Sequence, residues 1–207
     1  MKIKSFQLKK LNITALFDKV DQSQITSETM RDLFKLKPQD RANTPFIDLP
    51  GAKVLVMPTL KKEIVVEPNK LRVSDTKPEK LSKSRIVDDF KKIYGAFSGK
   101  SKLRAYGFNY DISLHLQENI SYNKLLSSSL KKAINGGKLL EAGARVVYSK
   151  KGRRIDIQIV PGGQEKQLGV HANTHYEASM INFANLIKKI SDDYGEVGQA
   201  VKKFVKG

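Results

Sequence analysis

Gly51-Ala-Lys-Val-Leu-Val-Met-Pro-Thr-Leu-Lys-Lys-Glu-Ile-Val-Val-Glu-Pro-Asn-Lys-Leu-Arg-Val-Ser74 decides the fold, because it reads as three short strands and the same order begins again at Gly143-Ala-Arg-Val146. The strands are carried by β-branched residues and alternation: Lys53 to Met57, Glu63 to Glu67 and Lys70 to Ser74 in the first run. Arg145 to Tyr148, Arg154 to Val160 and Gln167 to His171 answer them in the second. Pro68-Asn69 and Pro161-Gly-Gly163 supply turns. The offset grows from 92 at Gly51 to 100 at Gly95 and Gly195, so the second copy carries about 8 extra residues. The loop from Pro161 to Lys166 and the start of the helix are the places for them, since insertions collect in loops.

Outward from these strands the two runs stay alike. Thr76-Lys-Pro-Glu79 and Thr174-His-Tyr-Glu177 both have Thr-x-x-Glu spacing, in which the hydroxyl and the carboxylate satisfy free amides at a helix start. The helices that follow pass through Ile93-Tyr94-Gly95 and Asp193-Tyr194-Gly195. Each run is preceded by a long strand and a helix: Phe6 to Phe17 then Thr26 to Leu36, and Leu103 to Leu116 then Ser121 to Ile134. The predicted unit is β-α-β-β-β-α, twice, in residues 1–98 and 99–207 of one pseudo-twofold α+β domain. In the last helix Tyr176, Met180, Phe183, Ile187, Ile190, Tyr194, Val197, Val201 and Phe204 recur every three or four residues. Such a stripe is expected to lie across a sheet.

A duplicated unit of this kind, with a curved antiparallel sheet covered on one face by long helices, resembles the TATA-binding-protein-like, helix-grip fold. Lys62-Glu-Ile-Val-Val-Glu-Pro-Asn-Lys-Leu-Arg-Val-Ser74 and Arg104-Ala-Tyr-Gly-Phe-Asn-Tyr-Asp111 also resemble segments of a sporadically distributed, uncharacterised bacterial family with this layout. The resemblance implies a sheet face able to sit on DNA, where such proteins use arginines, asparagines and inserted phenylalanines. Paired phenylalanines at equivalent hairpin tips are missing here, so kinking of DNA is not carried over.

Charge points the same way. Among 207 residues, 38 Lys and Arg stand against 21 Asp and Glu, for a net charge of +17, which favours an anionic partner. Successive stretches of the chain carry +3, +6, +5 and +3, so the charge belongs to a folded surface and not to a tail. The absence of cysteine excludes disulfide scaffolds, cysteine zinc sites and thiol catalysis. The basic N-terminal stretch lacks the apolar core of a signal peptide, and no apolar run approaches the ~20 residues of a membrane span. A cytoplasmic protein without a membrane partner is expected.

The sharpest basic feature is Tyr148-Ser-Lys-Lys-Gly-Arg-Arg154, a hairpin tip at which Lys150, Lys151, Arg153 and Arg154 surround Gly152. Lys61 and Lys62 form its counterpart in the first run. Two such tips would clamp a duplex through its phosphates. A weaker patch comprises Lys80, Lys83, Arg85, Lys91 and Lys92 on the first long helix, interrupted by Asp88 and Asp89. Tyr106, Phe108 and Tyr110 share a strand face with Arg104 and would either stack bases or be buried under a helix; burial is preferred.

Other motifs fall short of chemistry. Gly95-Ala-Phe-Ser-Gly-Lys-Ser101 has too few residues between its glycines for a phosphate-binding loop and sits between a helix and a strand, the wrong order; a helix-capping glycine and a turn explain it. His171, His175 and Glu177 do not share a helical face as metal ligands would, and His115 reads as an outward strand residue. Asp111, Glu141 and Asp156 lack a paired catalytic partner. The expectation is a non-enzymatic protein without cofactor or metal that binds nucleic acid, DNA first, through Lys61, Lys62, Arg104, Lys150, Lys151, Arg153 and Arg154. The alternative is a protein-interaction module, an adaptor, inhibitor or defence-associated component meeting an acidic protein surface. A ligand-holding cavity between sheet and helices is a third reading.

Overall fold

The two longest runs of alternation become the two longest strands, and they lie side by side at the middle of the sheet. β1 (Ile3–Phe17) and β6 (Leu103–Leu116) pair antiparallel from Ile3 opposite Leu116 to Phe17 opposite Leu103. The computed structural model describes residues 1–99, 101–120 and 140–206.

From β1 the sheet grows outward through β5 (Lys70–Asp75), β4 (Lys62–Glu67), β3 (Ala52–Met57) and β2 (Phe46–Leu49). From β6 it grows through β9 (Gln167–Glu177), β8 (Arg153–Pro161) and β7 (Ala144–Lys150). The result is a nine-stranded sheet of order β2-β3-β4-β5-β1-β6-β9-β8-β7 in which every described pairing is antiparallel. Hairpins explain this, because a two-residue turn such as Pro68-Asn69 returns the chain at once alongside itself. The helices are α1 (Ser27–Leu33), α2 (Pro38–Arg41), α3 (Ile86–Phe97) and the C-terminal α4 (Leu186–Lys206). None of the described helices is long and apolar enough to cross a membrane.

Alternation sorts the two faces of the sheet. Leu11, Ile13, Ala15 and Phe17 of β1 are buried, and so are Phe108, Tyr110, Ile112 and Leu114 of β6. They join one core cluster with Ile86, Phe90 and Ile93 of α3 and Ile190, Val197, Val201 and Val205 of α4. Tyr110 donates its hydroxyl proton to the Ile190 carbonyl oxygen at 2.9 Å, tying the central strand to α4.

Both proposed cap motifs are corrected. Thr76 follows β5, and α3 starts ten residues later at Ile86 with Arg85 at its N-cap and no side-chain cap. Thr174 and Tyr176 belong to β9, which runs to Glu177, and α4 begins only at Leu186. The ladder to β6 extends through these residues and wins over a four-residue cap pattern. Met180 therefore precedes the helix and is exposed, while Leu186 replaces Ile187 on the buried side beside Ile190, which is buried as the stripe predicts. Gly95 lies within α3, and Gly99, with φ 49°, follows the C-cap residue Ser98. Thr26 does cap α1, sharing reciprocal hydrogen bonds with Thr29. β2 and α2 had no sequence expectation, and the helix expected from Ser121 to Ile134 lies outside the described residues.

Close approach of a neighbouring strand is tightest at Gly107. A Cβ added at Gly107 would stand 2.3 Å from the Thr174 carbonyl oxygen on β9, a backbone atom that cannot swing away. Gly107→Ala is expected to lower stability by about 3 kcal/mol, the upper range for overpacking, measured by urea unfolding, with Gly163→Ala as the neutral comparison.

Candidate nucleic-acid interface

The β7–β8 hairpin is as tight as two strands allow. Lys150 lies opposite Arg153, and Lys151 and Gly152 alone connect them. Their φ angles are 51° and 71°, the positive pair that a type I′ turn requires and that matches strand twist. Lys151 and Arg154 are exposed at this tip. Arg153 is not: its side chain keeps 11% of its exposure and reaches Asp193 of α4, which is wholly buried. Its guanidinium also donates to the Tyr176 hydroxyl at 3.1 Å and to Glu196. Tyr176 in turn donates to Asp193 at 2.6 Å. Lys150 pairs with Glu196 at 2.9 Å. Burial and the hydrogen bond to Asp193 hold the Tyr176 phenol well above its ordinary value, so it stays a proton donor. Burial opposes the charge on Glu196, but Lys150 and Arg153 outweigh it and hold that carboxyl below its ordinary range.

The β3–β4 tip is one turn of Pro58 to Lys61, closed by the Lys61 amide donating to the Pro58 carbonyl at 3.0 Å. Lys61, with φ 56°, is half-buried and stands 4.0 Å from Glu79. Lys62, the first residue of β4, turns inward and pairs with Asp89 of α3. Burial, with Arg85 and Lys92 nearby, lowers its pKa below the ordinary lysine value. Arg104, the second residue of β6, is exposed and pairs with Asp18 just beyond β1. Of the seven residues expected at the interface, four have carboxylate partners within hydrogen-bond reach: Lys62, Arg104, Lys150 and Arg153.

The aromatic face of β6 is core. Tyr106, Phe108 and Tyr110 are buried, Tyr106 stacking on Tyr176 with centroids 5.2 Å apart. Lys189 of α4 lies 3.6 Å over the Tyr176 ring and donates to the Tyr106 hydroxyl at 2.6 Å.

The opposite face is polar. Ser74, Asn12, Asn109, Asn173 and Asp156 stand in one row across five strands. Asn109 donates to Asn12 at 2.6 Å and Asn173 donates to Asn109, so the amides form a ladder. Beside it Arg145 grips Asp156 with two hydrogen bonds, 3.0 and 2.6 Å, and His171 meets Asp111 at 2.5 Å. His115 shares a hydrogen bond of 3.1 Å with Ser113. His171, His175 and Glu177 alternate along β9, and among the described residues no three His, Asp or Glu side chains gather as a metal site would need.

Sequence reading missed the cavity beside the β3–β4 tip. It measures about 340 Å³, and Lys77, Lys80, Lys83 and Arg85 join Lys61 and Lys62 in its wall. Lys80 and Lys83, expected on a helix, belong to the stretch before α3, around the short 3-10 turn Leu81–Lys83. The three-residue spacing of 77, 80 and 83 was the one signal in the chain. Asp75 and Glu79 are the carboxylates at this wall, and Asp75 accepts a hydrogen bond from the Ser84 hydroxyl at 2.8 Å. Compared with known proteins, the chain matches no family model and none of the curated proteins.

Two expectations follow. Arg153→Met should destabilise the protein by about 3 kcal/mol, because it strands a buried carboxylate, whereas Arg153→Met with Asp193→Leu should regain most of the loss in urea unfolding. The hydrogen bonds from Arg145 lower the pKa of Asp156, so that pair stabilises above the carboxylate range and its contribution fades as pH falls through the folded-state pKa. NMR titration should find the Asp156 midpoint below that of an ordinary aspartate and find it raised in Arg145→Gln.

Proposed function

We propose that the protein is a non-enzymatic, cytoplasmic DNA-binding protein whose two basic hairpin tips contact the phosphates of a duplex with little readout of base sequence. The carrying observation is how the tips leave the sheet. The β3–β4 tip lies beyond the row of Leu11 and Tyr110, and the β7–β8 tip beyond the row of Ala15 and Tyr106, so they point out of opposite ends of the strands. Five strand intervals separate β4 from β8, about 24 Å at ~4.8 Å each, and the four residues from the Leu11 row to the Ala15 row add about 13 Å along the strands at ~3.3 Å each, so Lys62 and Arg153 stand about 27 Å apart. That reach is less than one helical turn of DNA, ~34 Å, and suits contacts to phosphates on either side of a groove. Lys61, Lys151 and Arg154 would meet the phosphates, while Lys62 and Arg153 hold the tips in place. The asparagine ladder between the tips has amides that already bond one another, which supports weak base readout.

The same reading takes the chain as an internal duplication resembling the TATA-binding-protein-like fold, one pseudo-twofold domain with its helices over one sheet face. Strand order supports it: β5, β4 and β3 follow β1 outward as β9, β8 and β7 follow β6. So does the repeated anchor, in which the first residue after each tip, Lys62 or Arg153, pairs with a buried aspartate of the next long helix.

A protein partner is the second reading. Outer strand β7 leaves Val146 and Val147 about half exposed, a row suited to strand addition by another chain.

Fluorescence anisotropy with a short duplex at ~50 and ~200 mM salt tests the clamp. Affinity should fall steeply with salt, and Lys151→Ser with Arg154→Ser should make the log–log slope shallower by about 1.8, two phosphate contacts at ~0.9 each. An unchanged slope in that variant would overturn the clamp, and no duplex binding at the lower salt would favour the protein partner.

A further inference from the structure

Two cavities of different character meet beside the start of β1. The larger, about 570 Å³, has an apolar wall of Phe6, Leu8, Leu81 and Tyr194 with the hydroxyls of Ser82 and Ser191 at its margin. The smaller is the basic cavity at the β3–β4 tip, and Lys77, Glu79 and Lys80 line both. With Lys9 from β1, cationic side chains outnumber carboxylates seven to two across the pair.

The aromatic wall is fixed by what stands behind it. The Phe6 and Tyr194 rings lie 5.7 Å apart at 52°, and Tyr194 is backed by Tyr110 at 5.6 Å. On the other side Phe6 packs on Gly198 of α4, where an added Cβ would come 3.6 Å from the ring. Both rings are half-buried and line the cavity. The cations, in contrast, are crowded: Lys62 is desolvated and stands near Arg85 and Lys92, with Asp75, Asp88 and its partner Asp89 on the other side of the balance. Asp75 is engaged by Ser84, and Lys77, Lys80 and Lys83 have no carboxylate within ion-pair distance among the described residues.

A flat ring system for the aromatic wall and a multiply charged head for the lysines describe one kind of molecule. We propose that these joined cavities bind a nucleotide bearing a phosphomonoester, its base against Phe6 and Tyr194 and its phosphate among Lys77, Lys80 and Lys83. A monoester offers three acceptor oxygens and close to two charges, which several ammonium groups match better than the single charge of an internal diester. The same chemistry comes from a free nucleoside triphosphate or from the 5′-phosphorylated end of a strand. The site shares Lys61 with the clamp reading, but Lys151 and Arg154 take no part in it, so the β7–β8 half of the clamp can be removed without touching it.

The test is anisotropy of a short single strand labelled at its 3′ end, carrying either a 5′-phosphate or a 5′-hydroxyl. The phosphorylated strand should bind about tenfold more tightly, the worth of one charge-assisted contact. ATP should displace it, and inorganic phosphate at the same concentration should not. ATP binding without any preference among strands assigns the site to free nucleotides, and preference among strands without ATP displacement assigns it to strand ends. Lys80→Ala with Lys83→Ala, both exposed, should abolish the preference while leaving the unfolding midpoint in place. The preference should survive Lys151→Ser with Arg154→Ser, so its fate is separable from that of the clamp. Equal binding of all strands with no ATP binding, or displacement by inorganic phosphate as strong as by ATP, would overturn the proposal.

Discussion

Everything in this molecule hangs on the antiparallel pairing of β1 with β6. Strands of 15 and 14 residues pair along almost their whole length at the middle of the sheet, and each other strand reaches its place by returning alongside a neighbour. Register there is enforced from both faces. A slip of one residue would drive Asn12 and Asn109 into the core and turn Ile13 and Phe108 outward. The irregularity at Lys9, between Leu8 and Lys10, absorbs one extra residue where the pairing leaves the buried centre.

Charge is divided by the same geometry. Taking Asp89 and Asp193 out of water is expensive, and only well-placed partners offset it. Lys62 and Arg153 are those partners, which makes each hairpin tip a fixed extension of a helix contact and not a loose loop. The net +17 therefore overstates what the tips offer to a ligand. Cations that carry no such structural duty remain at Lys151 and Arg154 and along the connection from Lys77 to Lys83.

Strands were the most legible part of the chain. Lys53–Met57, Glu63–Glu67 and Lys70–Ser74 fall within β3, β4 and β5, and the turn at Pro68-Asn69 falls between the last two, because alternation and turn chemistry are local. The helix starts were misplaced. Thr76 and Thr174 carry a capping pattern, yet the Thr76 amide just past β5 donates to the Lys61 carbonyl at 2.8 Å, and β9 continues to Glu177, hydrogen-bonded on both sides. Tyr176 was assigned to the helical stripe for the same reason. It lies on β9 and faces α4 instead of belonging to it, and apolar spacing alone cannot tell the two apart.

By itself the sequence determined eight of the nine strands, all but β2, with the hairpin turns, the α+β class and the strongly basic composition, all of which follow from neighbours close along the chain. The tertiary structure decided which cations are free. Lys62 and Asp89 are 27 residues apart, and Arg153 and Asp193 are 40, so no local pattern announces either pair. It also decided that Lys77 and Lys80 meet Lys61 on one side and the Phe6–Tyr194 wall on the other. That meeting brings together β1, the β3–β4 tip, the approach to α3 and the middle of α4, and only packing of the whole sheet with its helices sets those distances.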